Sequence, residues 1–401
     1  MNLKNIFITL LLLINYCASG QWISQDSGTW ETLLGISFTS KYNGFVCGTK
    51  GTIKHTINGG TNWTNLVSGT TLFLRDIYFS DSLNGTIVGE SGLILRTTNG
   101  GDLWTNQTSN TTEHLVHVHF LDSLNGMACG LNGVIVTTND GGSNWTVKNS
   151  GVADELTSIQ IVNSSVSYAV GFSGNILKSV NGGDTWDIQT RSTFNILRSV
   201  SFLNTDTGYA VGYDGTILKT INGGMSWILQ SSGTINDLYA VDFINENQGT
   251  AVGRAKILAT NDGGISWIEQ SITFSGDLYD VKFSNFNDGW VTGQLGKIYN
   301  TDNNGGLTVN KEIEVLKNKI KIYPNPGHNF IFFDLDIIKS ENLQIQITDL
   351  SGKIIESILK EKIPSGKQKI RVIIDYLEKG TYLINLNNSN QHFSTQIFIK
   401  E

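Results

Sequence analysis

The chain has 401 residues, of which 39% are hydrophobic and 16% are charged, and its formal net charge is −7 at pH 7. A chain of this length is expected to form more than one domain. The acidic balance argues against a nucleic-acid partner, because binding a phosphate backbone requires a concentration of Lys and Arg that this sequence lacks. Gly occurs 44 times and Pro only 3 times, which indicates a fold with many tight turns.

The segment 1–20 is typical of a signal peptide. Lys4 precedes a short apolar run at residues 6–14, and Ala18-Ser19-Gly20 supplies small residues for cleavage before Gln21. A membrane anchor is a poor alternative, because this apolar run is too short to span a bilayer. We therefore expect export through the Sec pathway into the periplasm.

A tryptophan recurs at a constant interval along the chain, with only the last interval slightly shorter, and this repeat determines the predicted fold. Each unit has the length of four short strands, which is the size of one propeller blade. The next position in register is Thr308, so seven units fit between residues 22 and 308. We predict that residues 21–308 form an all-β, seven-bladed β-propeller with four-stranded blades. The repeated residues are Trp22, Trp63, Trp104, Trp145, Trp186, Trp227 and Trp267.

Apolar residues within each unit follow the same spacing. A Leu follows each Trp at a fixed offset, as Leu74 follows Trp63, and begins an alternating segment such as residues 74–79, which predicts the first strand of the blade. Gly-x-x-Gly pairs, such as Gly48 to Gly51, predict tight hairpins between the second and third strands. Residues 21–26 are expected to pair with the strand around residues 297–301 and so to close the last blade.

Each unit ends in a small-polar, Gly-Gly and Trp motif, with the first complete copy at residues 56–63. This motif resembles the Asp-box of sialidase-like and sortilin-like propellers, and its polar residues are expected to satisfy backbone groups of the turn. The longer pattern at residues 211–227 resembles the propeller family of photosystem II assembly factors and their bacterial relatives. That resemblance implies a propeller fold and a binding or scaffolding role.

Two cysteines follow the predicted signal peptide, Cys47 and Cys129. Their separation in the sequence equals two repeat units, so they occupy equivalent places two blades apart. Such a distance exceeds the reach of a disulfide. We expect both cysteines to be buried small apolar residues.

The repeat stops before residues 309–319, which are predicted to be a linker, and residues 320–401 alternate like strands at 330–335, 343–348, 369–374 and 382–386. This segment is predicted to be a small Ig-like β-sandwich. Three of its motifs resemble those of type A sorting domains of the type IX secretion system, which implies recognition by that machinery and release or attachment at the outer cell surface. A carbohydrate-binding or spacer module is the alternative. The residues that carry the resemblance are Pro324, Asn325, Pro326, Gly352, Lys379, Gly380, Thr381 and Tyr382.

The positions one and two places after each repeated Leu differ from blade to blade and are expected to ring one mouth of the central channel. Aromatic, Arg and carboxylate groups in such a depression are typical of peptide or glycan recognition, although each alone is also compatible with a solvated loop. We therefore expect a non-catalytic binding protein with an unknown protein or glycan ligand. The candidate residues, including two hairpin tips, are Arg75, Asp76, His117, Arg198, Tyr239, Tyr279, Asp280, Phe172 and Tyr213.

Enzymatic alternatives have less support. The chain lacks the Arg-Ile-Pro segment of sialidases, and xyloglucanase-like enzymes place their carboxylates between two propellers. The alternative that stays open is a secreted glycoside hydrolase that uses Asp76 and Asp280 as an acid and base pair. Of the nearby histidines only His117 and His119 share a strand face, and no third ligand is evident, so neither a metal nor another cofactor is predicted.

Overall fold

The computed structural model describes residues 22–303, 322–337, 341–349, 353–364, 366–388 and 392–401. The predicted signal peptide and the predicted linker at residues 309–319 lie outside the described residues. The contacts within the chain divide it into two compact units, Met1–Gly306 and Leu307–Glu401.

The described part of the first unit forms seven antiparallel four-stranded sheets, one for each predicted blade. The first strands are Leu33–Phe38, Leu74–Phe79, Leu115–Phe120, Leu156–Ile161, Leu197–Phe202, Leu238–Phe243 and Leu278–Phe283. The second strands are Gly44–Gly48, Gly85–Gly89, Gly126–Gly130, Ser167–Gly171, Gly208–Gly212, Gly249–Gly253 and Gly289–Gly293. The third strands are Ile53–Thr56, Ile94–Thr97, Ile135–Thr138, Ile176–Ser179, Ile217–Thr220, Lys256–Thr260 and Lys297–Thr301. The outer strands are Thr64–Leu66, Thr105–Gln107, Thr146–Lys148, Asp187–Ile188, Ile228–Gln230, Ile268–Glu269 and Ile23–Asp26.

The N-terminal strand Ile23–Asp26 completes the seventh blade, because it pairs antiparallel with the third strand of that blade, with Ile23 opposite Asn300 and Asp26 opposite Lys297. This confirms the predicted closure. A ring closed in this way joins the first and last blades through a hydrogen-bonded sheet and protects the edge that each would otherwise expose.

Aromatic side chains fill the space between consecutive blades. Phe45 of the first blade stacks on Phe79 of the second with ring centroids 3.8 Å apart, and Phe79 meets Trp104 edge-on at 5.9 Å. The same arrangement recurs around the ring with Tyr168, Phe202 and Trp227, with Tyr209, Phe243 and Trp267, and with Trp290, Phe38 and Trp63. The repeated Trp side chains are buried except for that of Trp63, which is half-buried.

The turn before each repeated Trp is held by its own polar side chains. Thr56 Oγ1 accepts the N–H of Gly60 at 2.8 Å, and Asn58 Oδ1 accepts the N–H of Asn62 at 2.9 Å. Asp140 Oδ1 accepts the N–H of Asn144 in the same way. Because only one acceptor oxygen is needed, Asn and Asp both serve at this position of the repeat.

In six of the seven blades the hairpin between the second and third strands contains two glycines that are needed for different reasons. In five blades the hairpin forms a short 3₁₀ turn: Thr49–Gly51, Glu90–Gly92, Leu131–Gly133, Phe172–Gly174 and Gln294–Gly296. Gly51 has φ +69°, the left-handed region that the Gly-x-x-Gly pattern predicts. Gly48 is extended, and a Cβ there would lie 2.0 Å from the carbonyl oxygen of Thr32. The first glycine therefore permits close backbone approach, and the second permits the turn.

The second unit is a two-sheet β-structure. Its strands are Ile322–Tyr323, Phe330–Ile337, Glu341–Thr348, Ile354–Ile363, Gly366–Ile373, Gly380–Asn388 and His392–Lys400. The first, second and fifth of these form one sheet and the other four form a second. A buried cluster that includes Ile331, Phe333, Ile345 and Phe398 joins side chains of the two sheets, as expected for a small sandwich.

Two further observations concern the helices and the cysteines of the chain. Among the residues that the structure describes, no helix has the length and apolar character needed to cross a membrane. Cys47 and Cys129 are free and buried, as predicted, and burial raises the pKa of both thiols.

Candidate ligand-binding site

A β-bulge at the start of each first strand shapes the mouth of the central channel. In all seven blades the pairing register shifts between the repeated Leu and the residue two places later. In a regular strand, successive side chains would point to opposite faces. The bulge instead lets two consecutive residues of one strand, such as Arg75 and Asp76, line the same cavity.

The cavity at this mouth has a volume of about 380 Å³. It brings together seven of the nine candidate residues: Arg75, Asp76, His117, Arg198, Tyr239, Tyr279 and Asp280. The other two candidates do not line it. Tyr213 lies next to the site, with its ring edge-on to Tyr239 at 6.3 Å, and Phe172 is half-buried in its hairpin turn.

Three further residues around the mouth were missed by the sequence reasoning. His114 and Glu155 line the cavity, and each immediately precedes a repeated Leu. Leu131, at a hairpin tip, also lines it. The signal that identifies His114 and Glu155 is the repeat itself, because the residue before the Leu occupies an equivalent position in every blade.

The residues two places after each Leu form what we call the inner ring: Gly35, Asp76, His117, Ser158, Ser199, Ala240 and Asp280. Five of them accept a backbone N–H from the first strand of the next blade. These bonds join Val118 to Asp76 (2.9 Å), Ile159 to His117 (3.4 Å), Val200 to Ser158 (3.3 Å), Val241 to Ser199 (3.2 Å) and Ile36 to Asp280 (3.0 Å). The inner ring therefore ties consecutive blades together.

The two aspartates of the inner ring compensate for the two members that have no acceptor. Gly35 and Ala240 cannot accept the N–H groups of Ile77 and Val281 in the blades that follow them. Asp76 Oδ1 accepts the N–H of Ile77, and Asp280 Oδ1 accepts that of Val281, both at 2.8 Å. Each aspartate thus satisfies two buried N–H groups, one in its own blade and one in the next.

Burial raises the pKa of both carboxyl groups, and the charge of Asp76 raises the pKa of Asp280 further. His117 opposes this effect at Asp76, since its Nε2 lies 3.8 Å from Asp76 Oδ2. Gly35 lies between the two aspartates in the ring, and a Cβ there would come within 2.8 Å of Asp76 Cα. A glycine at this position is therefore required by close approach.

The succession of Asp76, His117 and Ser158 on neighbouring blades has the residue types of a hydrolase triad, but its hydrogen bonds differ. His117 Nδ1 accepts the N–H of Ile159, and Ser158 Oγ accepts that of Val200. Each of these acceptor atoms is thereby directed to the backbone of the next blade, and within residues 22–303 no hydrogen bond joins His117 to Ser158. The arrangement holds blades together and does not activate the serine as a nucleophile.

A second ring of the same kind lies further along the first strands. Its acceptors are Ser37, His119, Gln160, Ser201 and Asp242, which accept the N–H groups of Phe79, Ile161, Phe202, Phe243 and Phe283. Burial lowers the pKa of His119 to about 3, so its imidazole is neutral and its Nδ1 can accept a bond. Asp242 also pairs with Lys282 at 3.2 Å and raises the pKa of that lysine.

The residues one place after each Leu form what we call the collar: Leu34, Arg75, Val116, Thr157, Arg198, Tyr239 and Tyr279. Tyr239 and Tyr279 stack with centroids 5.6 Å apart and an interplanar angle of 21°, and burial raises the pKa of both hydroxyls. The guanidinium of Arg198 lies 5.9 Å from the Tyr239 ring centre, and Arg75 pairs with Glu90 at 3.4 Å. The collar presents two cations and two stacked rings to the cavity.

Metal chemistry has no support in the part of the chain that the structure describes, which contains no group of three or more His, Cys, Asp or Glu side chains able to hold an ion. The cavity can offer hydrogen bonds, positive charge and aromatic surface. These are the components of a recognition site.

Two motif residues of the second unit form hydrogen bonds with its backbone, and one of these bonds joins the two ends of the unit. Asn325 Oδ1 accepts the N–H of Ile399 in the last strand, and Tyr382 donates its hydroxyl to the carbonyl of Glu378. Pro324 and Pro326 flank Asn325, while Lys379, Gly380 and Thr381 lead into the strand that contains Tyr382. Gly352 lies outside the described residues.

Two sequence families match the chain. The family described as photosynthesis system II assembly factor YCF48 matches residues 14–111, 64–150, 102–190 and 224–320. The family described as secretion system C-terminal sorting domain matches residues 321–400. Both resemblances predicted from the motifs are thereby confirmed. No curated protein matches the chain.

Solved propellers are similar in structure. The structure titled "YCF48 bound to D1 peptide" has 21% sequence identity and a TM-score of 0.61, covering 70% of this chain and 94% of that chain. The structure of YCF48 from Cyanidioschyzon merolae has 20% sequence identity and a TM-score of 0.60, covering 70% of this chain and 98% of that chain. The WD40 propeller domain of Doa1 has 11% sequence identity and a TM-score of 0.60, covering 70% of this chain and 96% of that chain. At these identities the likeness shows the propeller fold.

Proposed function

Because this chain belongs to the family of the photosynthesis system II assembly factor YCF48 and carries a sorting domain that marks it as secreted or held at the cell surface, we propose that it is a non-catalytic binding protein for a partner polypeptide. The site is the mouth of the central channel. The observation that carries the proposal is that the two rings of residues at this mouth have different roles. Inner-ring side chains are committed to blade contacts, whereas the collar presents Arg198, Tyr239 and Tyr279 to the cavity.

A polypeptide partner is supported by the apolar rim on the same end of the propeller. The loops that lead into the first strands carry Trp30, Phe194 and Ile235, whose exposed fractions are 82%, 80% and 85%. These loops lie at the end of the blades where the first strands begin, as does the cavity. Exposed apolar side chains on several blades are buried by a macromolecule more completely than by a small ligand. The related protein in the structure titled "YCF48 bound to D1 peptide" provides a precedent.

The binding test uses peptide and glycan arrays probed with the mature protein. Simultaneous replacement of Arg75, Arg198, Tyr239 and Tyr279 by Ala is expected to abolish binding, since truncating each anchor costs about 2 kcal/mol or more. The matched control replaces the half-buried Lys148 and its exposed partner Asp184, which lie outside the cavity. Unchanged binding by the quadruple variant would place the site elsewhere, with the hairpin residues Phe172 and Tyr213 as the next candidates.

The same samples separate binding from catalysis. A binding protein leaves arrayed polysaccharides intact, and we expect no turnover. If a polysaccharide were cleaved, and if Asp76→Asn or Asp280→Asn abolished cleavage while affinity persisted, a glycoside hydrolase would replace the proposal.

The sorting domain is proposed to direct passage through the type IX secretion machinery after Sec export into the periplasm. Deleting residues 320–401 is expected to leave the propeller folded but retained in the periplasm, because the two units have separate cores. Fractionation and immunoblotting measure this. Normal secretion of the truncated chain would contradict the assignment.

A further inference from the structure

The arginines around the channel mouth differ in whether their charge is already matched. Arg75 pairs with Glu90 at 3.4 Å, and Arg254 pairs with Asp237 at 2.9 Å. Arg198 lines the cavity and forms no ion pair with any residue that the structure describes. The Nε atoms of Arg75 and Arg198 are both buried without a hydrogen-bond partner there, so the missing ion pair is what distinguishes Arg198. A guanidinium that lines a cavity without a paired carboxylate has donors available for an acceptor from outside the chain.

The acidic groups of the cavity do not supply that acceptor. The oxygens of Asp76 and Asp280 each accept a backbone N–H, and burial raises the pKa of both groups, which reduces their negative charge. Glu155 lines the cavity from the preceding blade, but its carboxylate forms no ion pair in the described structure. Glu155 is therefore a carboxylate of the cavity without an ion-pair partner, and its charge opposes the binding of an anionic ligand.

Aromatic rings also lie next to Arg198. Its guanidinium lies 5.9 Å from the ring centre of Tyr239, which stacks on Tyr279 at 5.6 Å. The charge of Arg198 also lowers the pKa of Tyr279, against the larger effect of burial, so the two groups are electrostatic neighbours. A cation bordered by two parallel rings suits a ligand in which an anionic group adjoins a flat or apolar one.

We propose, on the basis of the proposed peptide-binding function, that Arg198 is the anchor for a single carboxylate of the partner polypeptide. The side chain next to that carboxylate lies against Tyr239 and Tyr279. A lone unpaired arginine suits one negative charge, and the chain's net charge of −7 disfavours a polyanion. The apolar rim formed by Trp30, Phe194 and Ile235 favours a protein over an acidic polysaccharide as the source of the carboxylate.

The experiment is selection of displayed random heptapeptides on the immobilised mature protein, followed by affinity measurement of the selected peptides by fluorescence polarisation. We expect enrichment of Asp or Glu beside an aromatic or aliphatic residue. Arg198→Met is expected to weaken binding by more than about 10-fold, because it removes the charge and the fork of donors. Arg198→Lys keeps the charge and is expected to recover part of the affinity.

Two further variants make the test specific to the carboxylate. Glu155→Gln is expected to strengthen binding a few-fold, because it removes a negative charge that repels the carboxylate of the ligand. Arg191→Met is the matched control, because Arg191 donates to Asn175 Oδ1 and does not line the cavity. This substitution should leave affinity unchanged. Thermal denaturation of each variant verifies that it is folded.

The outcomes distinguish two sources of the carboxylate, a side chain and the chain terminus. They also separate failure of the Arg198 anchor from failure of the proposed peptide-binding function. Peptides with an amidated C-terminus that still bind through Asp or Glu assign an acidic side chain, whereas loss on amidation assigns the chain terminus. If selected peptides bind with no acidic preference and equally to Arg198→Met, the anchor is refuted while the peptide-binding function stands. If no peptide binds, or if only oligosaccharides of uronic acids bind, both the anchor as stated and the proposed function fail.

Discussion

Two adjacent rings of residues line the same cavity, yet they differ in what the fold requires of them. Members of the inner ring, such as Asp76 and Ser199, accept backbone N–H groups of the next blade. Members of the collar, one residue earlier, include Arg198, whose Nε has no hydrogen-bond partner in the described structure. Residue type alone therefore does not identify the binding group. The inner-ring carboxylates bind backbone N–H groups of the fold, whereas the guanidinium of Arg198 is available to a ligand.

The largest effect on stability should come from replacing one of the two inner-ring aspartates, each of which has two backbone partners. Asp280→Ala leaves the buried N–H groups of Ile36 and Val281 without acceptors, which should lower the free energy of unfolding by about 3 kcal/mol. Urea denaturation measures this. Asp184→Ala is the control, because its exposed pair with Lys148 should contribute less than about 1 kcal/mol. Equal stability of the two variants would mean that the ring does not hold the blades.

The same aspartate has a pH signature. Its pKa in the folded state is raised above the ordinary value of 3.8, so its protonated form is favoured by folding. The corresponding stability is fully present below pH 3.8 and is lost as the pH rises through the folded-state pKa. The stability of the wild type relative to Asp280→Asn should therefore fall with rising pH in urea titrations. A difference that grows with pH would show that the folded protein favours the ionised carboxylate.

A smaller effect is expected where an inner-ring side chain has one partner. Ser199→Ala removes the acceptor of the buried Val241 N–H and should cost about 1 to 2 kcal/mol, measured by the same denaturation. Ser82→Ala, in an exposed turn, is the control and should change stability by less than about 0.5 kcal/mol. The ring-bond interpretation fails at this position if both variants unfold at the same urea concentration.

Much of this architecture follows from the repeat, but the difference between the two rings does not. Tryptophan spacing predicts seven blades and their closure by residues 21–26, because strand length and period constrain the sheet count. The bulge after each Leu leaves no local signature, since it depends on pairing with the second strand. The acceptor of each N–H lies in the preceding blade, so a pattern within one unit cannot identify it.

The second unit gives a further example of this limit. Four of its strands are predicted from alternation, and each of them is longer in the structure. The other three strands were missed: Ile322–Tyr323, Ile354–Ile363 and His392–Lys400. Of these, Ile354–Ile363 is instructive. It mixes charged residues into an apolar segment, so the period-2 pattern is interrupted and pairing with Glu341–Thr348 determines the strand instead.

The smallest expected effect concerns Ala240. Its replacement tests whether one inner-ring side chain can replace another as the acceptor of a given backbone N–H. Ala240→Ser places a hydroxyl where Ser199 has one, but the Val281 N–H is already accepted by Asp280 Oδ1, so stability should change by less than about 0.5 kcal/mol. In the Asp280→Ala background that N–H is free, and the same substitution should restore about 1 kcal/mol. A double-mutant cycle in urea isolates this coupling. The N–H of Ile36 has no acceptor in Asp280→Ala or in the double variant, so rescue should be partial. Additive effects, with no coupling between the two sites, would mean that the aspartate stabilises the ring by some means other than this bond.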